Sequence, residues 1–479
     1  MDRTNDHPIL TFEKGRQVAF TFEGRELTGY EGETIAAALH AAGVRFLHES
    51  AKKHRPRGLF CAIGNCSSCL MKVNGIPNIR VCVEPLREGI VVERQIGSEK
   101  ARVDAAIERK LSDPREVIEA EILVVGGGPA GMCASIEAAR AGARVILLER
   151  SAKLGGQLVK QTHKFFGSEK QDAGTRGIYI AGKIQAEIEA LEGIQVWTQS
   201  IAAGLYRDGI VMVDRNGTIE GIRAKAVIIA TGAFEKNLVF PNNDLPGIYG
   251  AGAVQTLMNV EGVVPAKNVL MVGAGNIGLI VSYQLMQAGV EVAAVIEAAP
   301  DIGGYLVHAN KLRRAGVPIM TRHTIKCAYG QGRVEGAIIH ELDERFQPIP
   351  GTEQDVECDA ICMAVGLAPL PELFFQAGCD MKFVPELGGY VPVIDSERHT
   401  SVRNVYAAGD SGGVEEASSA MLTGKLAGIS AARDLGYGQD YEAKFRDYVQ
   451  QLESLRPEGG KIRNGLRKTK EGEPVQYEK

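Results

Sequence analysis

The sequence lacks long apolar runs, an export signal and an excess of charge of either sign. No apolar run reaches the ~18 residues that a membrane-spanning helix needs. Residues 1–20 contain neither the apolar stretch nor the cleavage site of a secretory signal peptide. The net charge is −5, which favours neither nucleic acid nor an acidic membrane surface as a partner. We therefore expect a cytoplasmic protein without a transmembrane segment.

Cysteine is the residue whose pattern carries the most information. The chain has 9 cysteines, and this odd number, without an export signal, favours a reducing compartment over disulfide bonds. Cys61, Cys66, Cys69 and Cys82 follow the spacing C-x4-C-x2-C-x12-C, which is the plant-type [2Fe–2S] ligand pattern. Structural zinc is the alternative, but zinc sites usually have two short C-x2-C-like knuckles, and here Cys82 stands alone. These four residues are the predicted metal ligands.

The other cysteines are predicted to be small apolar residues in helices or strands. They are Cys133, Cys327, Cys358, Cys362 and Cys379. A disulfide reductase needs a C-x2-C or C-x4-C pair, and none lies outside the cluster motif. Three histidines, His163, His308 and His323, have no carboxylate or nucleophile partner by spacing. No catalytic acid or base is therefore predicted on this chain.

The length of 479 residues predicts about three domains. Residues 8–95 combine short strand patterns with one helical segment, which predicts a β-rich unit. Strands are expected at Gln17–Phe22, Leu70–Val73 and 89–93, and a helix is expected at 34–42. Strands, a helix and then a cysteine loop resemble the β-grasp ferredoxin fold. Residues 98–117 are charged and helix-prone, as expected of a connector.

A strand–turn–helix–strand pattern occurs twice after residue 119. The first copy places these four parts at 122–125, 126–131 (GGGPAG), 132–141 and 144–149. The second copy places them at 269–272, 273–278 (GAGNIG), 279–288 and 291–297. The loop glycines of the two copies are offset by 147 residues and the later glutamates by 148. One residue of slippage across the whole unit indicates an internal repeat of a βαβ motif.

Each glycine loop has the context of a dinucleotide-binding fingerprint. It follows an apolar strand and opens a helix, and a glutamate comes 18 or 19 residues after its third glycine. The glycines allow a tight turn and close approach of a pyrophosphate, which lies at the helix N-terminus. Glu149 and Glu297 are placed to accept hydrogen bonds from ribose hydroxyls. The pattern predicts two dinucleotide sites.

Two further motifs resemble those of glutathione-reductase-type flavoproteins, namely ATG at 230–232 and VYAAGD at 405–410. In that family the aspartate of the second motif bonds the ribityl or phosphate region of the flavin, and the nicotinamide domain is inserted between two halves of the FAD domain. The resemblance implies FAD at the first loop and NAD(H) at the second. Glu297 argues against NADP, because no Arg or Lys occurs from 297 to 310 to receive a 2′-phosphate. Whether the second nucleotide is reduced or only structural stays open.

The resemblance assigns cofactor-binding residues to both sites. For FAD they are Gly126, Gly128, Pro129, Ala130, Gly131, Glu149, Arg150, Gly155, Gly156, Gln157, Thr231, Gly232, Gly409 and Asp410. For NAD or another adenine nucleotide they are Gly273, Gly275, Asn276, Ile277, Gly278 and Glu297. The predicted fold class is α/β, with two Rossmann-like dinucleotide-binding domains of the glutathione-reductase type preceded by a β-grasp ferredoxin-like domain. The expected order begins with a [2Fe–2S] domain at 1–95, a connector at 96–118 and the first part of the FAD domain at 119–247. The NAD domain at 248–370, the second part of the FAD domain at 371–436 and a C-terminal helix with a tail at 437–479 follow.

Two longer stretches resemble the flavin subunit of heteromeric amine dehydrogenases and oxidases. They are RGLFCAIGNCSSC at 57–69 and ATGAFEKNLVFPNNDLPGIYGAGAVQTLMN at 230–259. This group includes the sarcosine oxidase α subunit, hydrogen cyanide synthase, opine oxidases and dye-linked proline dehydrogenases, and the resemblance covers roughly residues 8–435. In the group, the amine is oxidised on a separate flavin subunit. The resemblance therefore implies a second flavoprotein subunit of glycine- or sarcosine-oxidase type, and an electron carrier, as partners. Unlike some members, this chain carries the ferredoxin-like part fused and has no cysteine after Cys379.

The leading hypothesis is an electron-relay subunit of an oxidoreductase for secondary amines or N-substituted amino acids, in which the flavin converts hydride chemistry into single electrons for the cluster. The alternatives are a stand-alone NADH:acceptor reductase with a ferredoxin-type partner, and a scaffold whose second nucleotide is never reduced. The basic residues within 52–57 are interpreted as a docking surface for an acidic carrier, a charge offset for the cluster or a solvated face. Residues 440–455 are predicted to be helical, and 457–479 to be an extended or partner-contacting segment, with a solvated tail as the favoured interpretation.

Overall fold

The computed structural model describes residues 2–4, 6–97, 117–164, 166–215, 217–439 and 441–471. The predicted connector lies outside the described residues except at its two ends. The chain forms two compact units. In the described part, the first unit contains the residues up to 97 together with Glu235–Gly366, and the second contains residues 117–234 and 367–471.

The N-terminal part of the first unit is a small mixed sheet with one helix. Its elements are β1 (Gln17–Phe22), β2 (Arg25–Tyr30), α1 (Ile35–Ala41), β3 (His48–Glu49), β4 (Pro56–Arg57), β5 (Leu70–Val73), β6 (Ile76–Arg80) and β7 (Val91–Ile96). The strand order is β2–β1–β7–β3–β4, and β5 pairs with both β6 and β7. Helix α1 is one residue shorter at each end than the predicted 34–42. Thr34 is its N-cap, and the Thr34 hydroxyl accepts a hydrogen bond from Ala37 N at 3.2 Å. The strands at 17–22 and 70–73 have their predicted bounds.

The chain then enters the second unit with the first predicted βαβ copy. Its elements are β8 (Ile118–Val125), α2 (Pro129–Arg140), β9 (Val145–Leu148), α3 (Gly177–Glu189), β10 (Ile194–Trp197), β11 (Ser200–Leu205), β12 (Ile210–Arg215), β13 (Thr218–Ile229) and β14 (Ala233–Glu235). Short 3-10 turns occupy Gly156–Lys160 and Glu169–Gln171. The last four residues of β8 are all buried, as expected for a parallel strand covered on both faces.

The second βαβ copy belongs to the first unit. The elements here are β15 (Ile248–Gly250), α4 (Ala251–Gln255), β16 (Asn268–Val272), α5 (Asn276–Gln287), β17 (Glu291–Glu297), α6 (Leu306–Arg314), β18 (Ile319–Thr321), β19 (His323–Tyr329), β20 (Gly336–Glu341), β21 (Gln354–Glu357) and β22 (Ala360–Met363). A π-helical turn, Thr256–Val260, extends α4. Strands β15–β22–β16–β17–β18 form a parallel sheet, and β19–β20–β21 form an antiparallel one.

The remainder of the chain completes the second unit. Its elements are β23 (Leu367–Pro369), α7 (Glu372–Ala377), β24 (Met381–Val384), β25 (Gly389–Pro392), β26 (Val405–Ala407), α8 (Ala417–Asp434), α9 (Tyr441–Leu455) and α10 (Lys461–Lys468), with 3-10 turns at Pro385–Leu387 and Gly409–Gly412. Strand β26 pairs with β13 in the sheet β10–β9–β8–β13–β12–β11. The predicted helix at 440–455 is observed as α9. The prediction of an extended tail from 457 is wrong for 461–468, because α10 packs Ile462 and Leu466 against an apolar cluster of Val384, Leu387 and Val391.

One hydrophobic core is shared by the N-terminal sheet and the dinucleotide part of the first unit. Leu39 and Met71 from the N-terminal sheet belong to the same buried cluster as Tyr249, Met258 and Leu285 of the dinucleotide part. Burying each such side chain contributes about 1.5–3 kcal/mol. The ferredoxin-like part and the second βαβ copy are therefore one packed body, although more than a hundred residues of the second unit separate them in the chain.

The second unit depends on close packing between α2 and α8. A Cβ atom on Gly424 would lie 2.1 Å from Ala130 O, and one on Gly428 would lie 2.2 Å from Ala134 O. Only glycine allows the two helix backbones to approach this closely.

Among the described residues, no helix combines the length and the apolar character needed to span a membrane.

Candidate functional site

Four cysteine side chains converge in the N-terminal part of the first unit. Cys61, Cys66 and Cys69 lie on the loop between β4 and β5, and Cys82 follows β6. Cys61, Cys69 and Cys82 are buried, whereas Cys66 is half-buried. The loop folds back on itself, so that Cys66 N lies 3.4 Å from Cys61 Sγ and donates a hydrogen bond to it. Sequence spacing predicted this convergence, and the structure brings all four together.

Hydrogen bonds connect the four thiols in a chain that runs Cys66–Cys61–Cys82–Cys69. The thiols of Cys66 and Cys82 both bond to that of Cys61 and hold the pKa of Cys61 well below its usual range. The bond from Cys82 lowers the pKa of the Cys69 thiol. These bonds stabilise thiolates at Cys61 and Cys69, and a thiolate is the form that binds metal.

The four thiols form one connected group, because Cys61 bonds to Cys66 and Cys82, and Cys82 also bonds to Cys69. A set of four thiols in the order C-x4-C-x2-C-x12-C fits a [2Fe–2S] cluster, which binds through cysteine thiolates. Among the described residues, Asp395, Glu397 and His399 form a separate group of three possible ligand atoms that lie within 4.8 Å of one another.

The acidic group of Asp395, Glu397 and His399 is an ion-pair network. His399 lies between two carboxylates, with Nδ1 2.8 Å from Asp395 and Nε2 2.6 Å from Asp434. Arg433 binds both oxygens of Glu397, at 2.6 and 2.8 Å. Because these side chains satisfy one another, the group does not need a metal ion to balance its charge.

The cysteine loop is fastened to the dinucleotide part of its own unit. Arg55 lies 2.6 Å from Asp244, and Arg57 forms an even closer ion pair with the same carboxylate. Arg55 also donates a hydrogen bond to Asn242 at 2.9 Å. These two arginines therefore pair with a carboxylate of the same unit, and the interpretations offered for the basic stretch stay predictions. Within that stretch, the adjacent Lys52 and Lys53 are exposed.

Backbone contacts reinforce this attachment. Gly250 N donates a hydrogen bond to Phe60 O at 2.9 Å, one residue before the first cysteine. A Cβ atom on Gly58 would lie 2.9 Å from the Cα atom of Pro246, so glycine is required for this approach. We define the cluster clamp as Arg55, Arg57 and Asp244. Together, the clamp and these backbone contacts hold the cysteine loop at its N-terminal end, just before Cys61.

The first glycine loop connects β8 to α2 in the second unit. A Cβ atom on Gly131 would lie 1.8 Å from Gly126 O, and one on Gly126 would lie 2.3 Å from Ala230 O. Pro129 and Ala130 form the first turn of α2, where proline is favoured. Gly126 and Gly131 are therefore required for close backbone packing within the loop. The N-terminus of α2 remains available to bind an anion.

Space in front of α2 remains open. A Cβ atom on Gly128 would meet only Gly156 Cα, at 3.9 Å. A Cβ atom on Gly156 would approach Gly128 Cα to 2.8 Å, so the loop carrying Gly155 and Gly156 runs beside the helix N-terminus. Gln157, the next residue, is exposed. This cradle fits a pyrophosphate and would be filled by any larger side chain.

Glu149 holds the same loop from the end of β9. Its carboxylate accepts hydrogen bonds from Gly127 N at 2.9 Å and from Ser151 N at 2.7 Å. Each carboxylate oxygen has a further lone pair, so the residue can also accept a ribose hydroxyl. Arg150, which follows Glu149, is half-buried.

The ATG and GD motifs lie at the ends of neighbouring strands in this unit. Thr231 Oγ1 donates to Leu370 O at 3.2 Å, and Gly232 adopts a φ of 77°. Gly409 has a φ of 65°, and a Cβ atom there would lie 2.7 Å from the Cβ atom of Ala130. The fold thus brings the late GD motif against the first glycine loop, although 279 residues separate Ala130 from Gly409.

Asp410 is half-buried in this arrangement. Burial, with a smaller contribution from the nearby Glu415 carboxylate, raises the pKa of Asp410 to about 7. Asp410 also accepts a hydrogen bond from Glu415 N at 3.2 Å. At neutral pH this carboxyl group can therefore either donate or accept a hydrogen bond, which suits a partner with hydroxyl groups.

The second glycine loop, in the first unit, repeats this bonding closely. A Cβ atom on Gly278 would lie 1.9 Å from Gly273 O, as in the first loop. The carboxylate of Glu297 accepts hydrogen bonds from Ala274 N at 2.8 Å and Ala299 N at 3.0 Å. The internal repeat is therefore preserved at the level of individual hydrogen bonds.

The mouth of this second site is open as well. A Cβ atom on Gly275 would meet nothing within 4 Å, which leaves room at the N-terminus of α5. Asn276 Oδ1 accepts a hydrogen bond from Tyr305 N at 2.8 Å. This bond holds the loop that carries Gly303 and Gly304 beside the N-terminus of α5. Ile277 is partly exposed beside it. The arrangement can bind a second pyrophosphate.

Sequence reasoning missed two residues that shape the flavin half. Gly424 and Gly428, four positions apart in α8, allow this helix to rest on α2 directly behind the first glycine loop. Their spacing was a usable signal, since glycines one helical turn apart are costly unless a close approach requires them.

The cysteines outside the cluster are buried or part-buried and do not form a redox pair with one another. Cys358 is buried just before β22 and Cys362 lies within it, and burial raises the pKa of Cys358 to about 12. Burial also raises the pKa of the Cys133 thiol to about 12. Such thiols are protonated and inert at neutral pH, which agrees with the prediction that they are core residues.

Two family models match the chain. The model described as pyridine nucleotide-disulphide oxidoreductase matches residues 120–424, and the model described as 2Fe-2S iron-sulfur cluster binding domain matches residues 15–97. These matches support FAD and a [2Fe–2S] cluster as cofactors. Together with the fold, they confirm the predicted fold class.

Curated relatives confirm the predicted resemblance. The alpha subunit of sarcosine oxidase from Corynebacterium sp. (strain P-1) is 28% identical over 463 residues, which cover 90% of this chain and 45% of the relative. An opine oxidase chain from Agrobacterium tumefaciens (strain Ach5) is 30% identical over 336 residues, which cover 66% of each chain. The chain thus spans less than half the length of the first relative and about two thirds of the second.

A solved structure has the same fold over nearly the whole chain. The L-proline dehydrogenase from P. horikoshii matches with a TM-score of 0.71 and 24% identity, covering 95% of this chain and 80% of that one. Since the first family model spans well over half of the 479 residues, its match identifies the family. The chain belongs to the pyridine nucleotide-disulphide oxidoreductase family and carries a fused 2Fe-2S cluster binding domain.

Proposed function

We propose that this chain is the electron-relay subunit of a heteromeric dehydrogenase or oxidase that acts on secondary amines or N-substituted amino acids. The observation that carries the proposal is the presence, on one polypeptide, of a four-thiol site and two complete dinucleotide cradles. When bound, FAD exchanges electrons in pairs or singly, and the cluster carries one electron at a time. The relatives named sarcosine oxidase and opine oxidase suggest the substrate class.

The chain's own residues supply binding and orientation. Gly128, Gly156 and the N-terminus of α2 would hold the FAD pyrophosphate, while Glu149 and Asp410 would bond its hydroxyl groups. Cys61, Cys66, Cys69 and Cys82 would hold the cluster, and the cluster clamp would keep the loop in place. Gly275 and Glu297 would hold NAD or another adenine nucleotide. No residue is assigned to acid–base catalysis, because the amine would be oxidised on a partner subunit.

The partner in this proposal is a second flavoprotein subunit of glycine- or sarcosine-oxidase type, with an electron carrier as the final acceptor. The nine cysteines form no disulfide, which is compatible with the reducing cytoplasm that the sequence predicts.

A native purification tests this function. We expect the chain to co-purify with a second flavoprotein, and the complex to be bleached anaerobically by sarcosine, proline or an opine. Bleaching by NADH alone, with no amine-dependent reduction and no partner, would overturn the proposal. That result would establish the second candidate, a stand-alone NADH:acceptor reductase, which is favoured by the complete bonding of the second glycine loop. Nucleotide retained without bleaching by either donor would indicate a scaffold.

The metal content has its own test with a matched control. Cys66→Ser should lower the iron and acid-labile sulfide of anaerobically purified protein and remove its spin-resonance signal. Cys327→Ser, which alters a half-buried cysteine outside the cluster loop, should leave both unchanged. Equal iron content in the two variants would contradict the assignment of the four ligands.

A further inference from the structure

The loop that follows β26 is gripped from the C-terminal end of the chain. We define the flavin loop as residues 409–416, which carry Gly409, Asp410 and Glu415. Arg456, at the end of α9, donates from Nε to Glu415 Oε2 at 2.9 Å and from Nη2 to Glu415 Oε1 at 2.5 Å. The two side chains are 7% and 11% exposed. A bidentate, shielded pair of this kind is among the stronger side-chain contacts in proteins.

Glu415 connects this pair to the residue proposed to bond FAD. The backbone N–H of Glu415 donates to Asp410 Oδ1 at 3.2 Å. Glu415 thus has its side chain on Arg456 and its backbone on Asp410. Any displacement of Glu415 must move the hydrogen-bond donor of Asp410, and with it the orientation of that carboxyl group.

A second contact reaches the same loop from α10. Gly465 lies so close to Leu387 that a Cβ atom there would be 2.8 Å from its Cγ. Leu387 in turn accepts a hydrogen bond from Val414 N at 3.0 Å, next to Glu415. Lys468 of α10 also pairs with Glu386. The C-terminal helices therefore hold the flavin loop at two adjacent residues by independent routes.

The N-terminal part of the flavin loop is held by contacts with Arg398 and Thr423. Arg398 Nε donates to Ala407 O at 2.9 Å, and a Cβ atom on Gly412 would lie 2.7 Å from Arg398 Nη2. Thr423 Oγ1 accepts from Gly409 N at 3.0 Å. Val414 and Glu415 lie on the other side of the loop, close to the start of α8, and there Leu387 accepts from Val414 N and Arg456 binds Glu415.

We propose that Arg456 is a positioning residue for the FAD site, and that α9 and α10 form a brace that holds the flavin loop in its binding conformation. The inference depends on the proposed binding of FAD at the first glycine loop and Asp410. It gives a role to the C-terminal segment, which the sequence predicted to be an extended or partner-contacting segment after residue 457. Arg456 itself does not touch the flavin in this proposal, since it acts through Glu415 and Asp410.

The test measures FAD binding to full-length apoprotein by flavin fluorescence, together with the visible absorption and circular dichroism of the bound flavin. Arg456→Met should raise the FAD dissociation constant at least tenfold and alter the circular dichroism of the bound flavin. Arg456→Lys should restore part of the affinity, because lysine can still donate to Glu415 through one group. The matched control is Arg467→Met on α10, whose pair with Glu471 is well exposed and which should change binding less than twofold.

A buried charge left without a partner can unfold a protein, so a second variant is needed. Arg456→Met combined with Glu415→Gln removes both charges and leaves no unpaired carboxylate. It should fold, as judged by the unfolding temperature of the apoprotein, and still bind FAD at least fivefold more weakly. Wild-type affinity in this folded double variant would overturn the proposal. Absence of FAD binding in the wild type would instead contradict the proposed function, so the two failures are distinguishable.

Discussion

The cluster clamp offers a sharp test of how the cysteine loop is held. Asp244→Asn keeps the size of the side chain but removes the charge that pairs with Arg55 and Arg57. The three side chains are only partly exposed, at 18%, 35% and 28%. Exposed ion pairs contribute up to about 1 kcal/mol, and breaking a buried pair costs about 3–5 kcal/mol. For this intermediate burial we expect a loss of roughly 2 kcal/mol.

The expected consequence is faster local opening of the loop that carries three of the four ligands. If iron is released from the opened loop, 2 kcal/mol corresponds to roughly a 30-fold faster release. The assay follows the loss of cluster absorbance after an iron chelator is added to anaerobic holoprotein. Iron content before the chelator should be unchanged, because the four cysteines remain.

A matched control and a clear contradiction complete this test. Glu31→Gln removes an ion pair in the same N-terminal sheet, where Arg16 and Glu31 are 3.5 Å apart and mostly exposed. Its chelation rate should stay within about twofold of the wild type, since exposed pairs contribute little. If Asp244→Asn and Glu31→Gln released iron at the same rate as the wild type, the clamp would have no role in holding the loop.

Three further predictions concern the second glycine loop, the flavin half and the ion-pair network. Gly278→Val should abolish nucleotide binding at the second loop, as judged by calorimetry with NADH, because its Cβ would lie 1.9 Å from Gly273 O. The control is Gly182→Ala in α3, where a Cβ atom would meet nothing within 4 Å and φ is not positive; intact binding in Gly278→Val would contradict the close-packing argument. Gly424→Leu should lower the unfolding temperature and FAD content together, since a Cβ there would lie 2.1 Å from Ala130 O; unchanged FAD content would refute it. Burial alone would lower the pKa of His399, but its hydrogen bonds to Asp434 and Asp395 outweigh burial and raise this pKa above 6.5. The stabilisation of the folded protein by protonated His399 is therefore fully present below pH 6.5 and is lost as pH rises through the raised pKa. In urea unfolding, the stability difference between wild type and His399→Gln should be largest at acidic pH and shrink toward about pH 9, and a difference that grows with pH would contradict this prediction.

Local signals predicted much of the architecture. The alternation at 17–22 and the threonine before the helix at 35–41 are properties of neighbouring residues, so the pattern placed β1 correctly and the start of α1 to within one residue. The two glycine loops were recognisable because the same steric demands recur after 147 residues. The structure adds that Glu149 and Glu297 hold their loops through equivalent backbone hydrogen bonds.

Long-range contacts were not predictable in this way. Nothing local to Arg55 indicates that its partner is Asp244, because that pairing depends on how distant segments pack. The helix at 461–468 has few apolar residues, and it is stabilised by contact with Leu387 rather than by its own pattern. The role proposed for Arg456 likewise depends on its contact with Glu415, which lies 41 positions earlier in the sequence.

The shared core of the first unit has a consequence for biosynthesis. A ribosome adds about 5–20 residues per second, so the roughly 150 residues between position 97 and Tyr249 take about 8–30 s to appear. During that interval the N-terminal sheet has been synthesised, but the buried cluster that includes Leu39 and Met71 still lacks Tyr249, Met258 and Leu285. The nascent cysteine loop likewise waits for Asp244. Iron loading is therefore expected to follow synthesis of the middle of the chain, and a fragment ending near residue 97 should be insoluble or dependent on a chaperone.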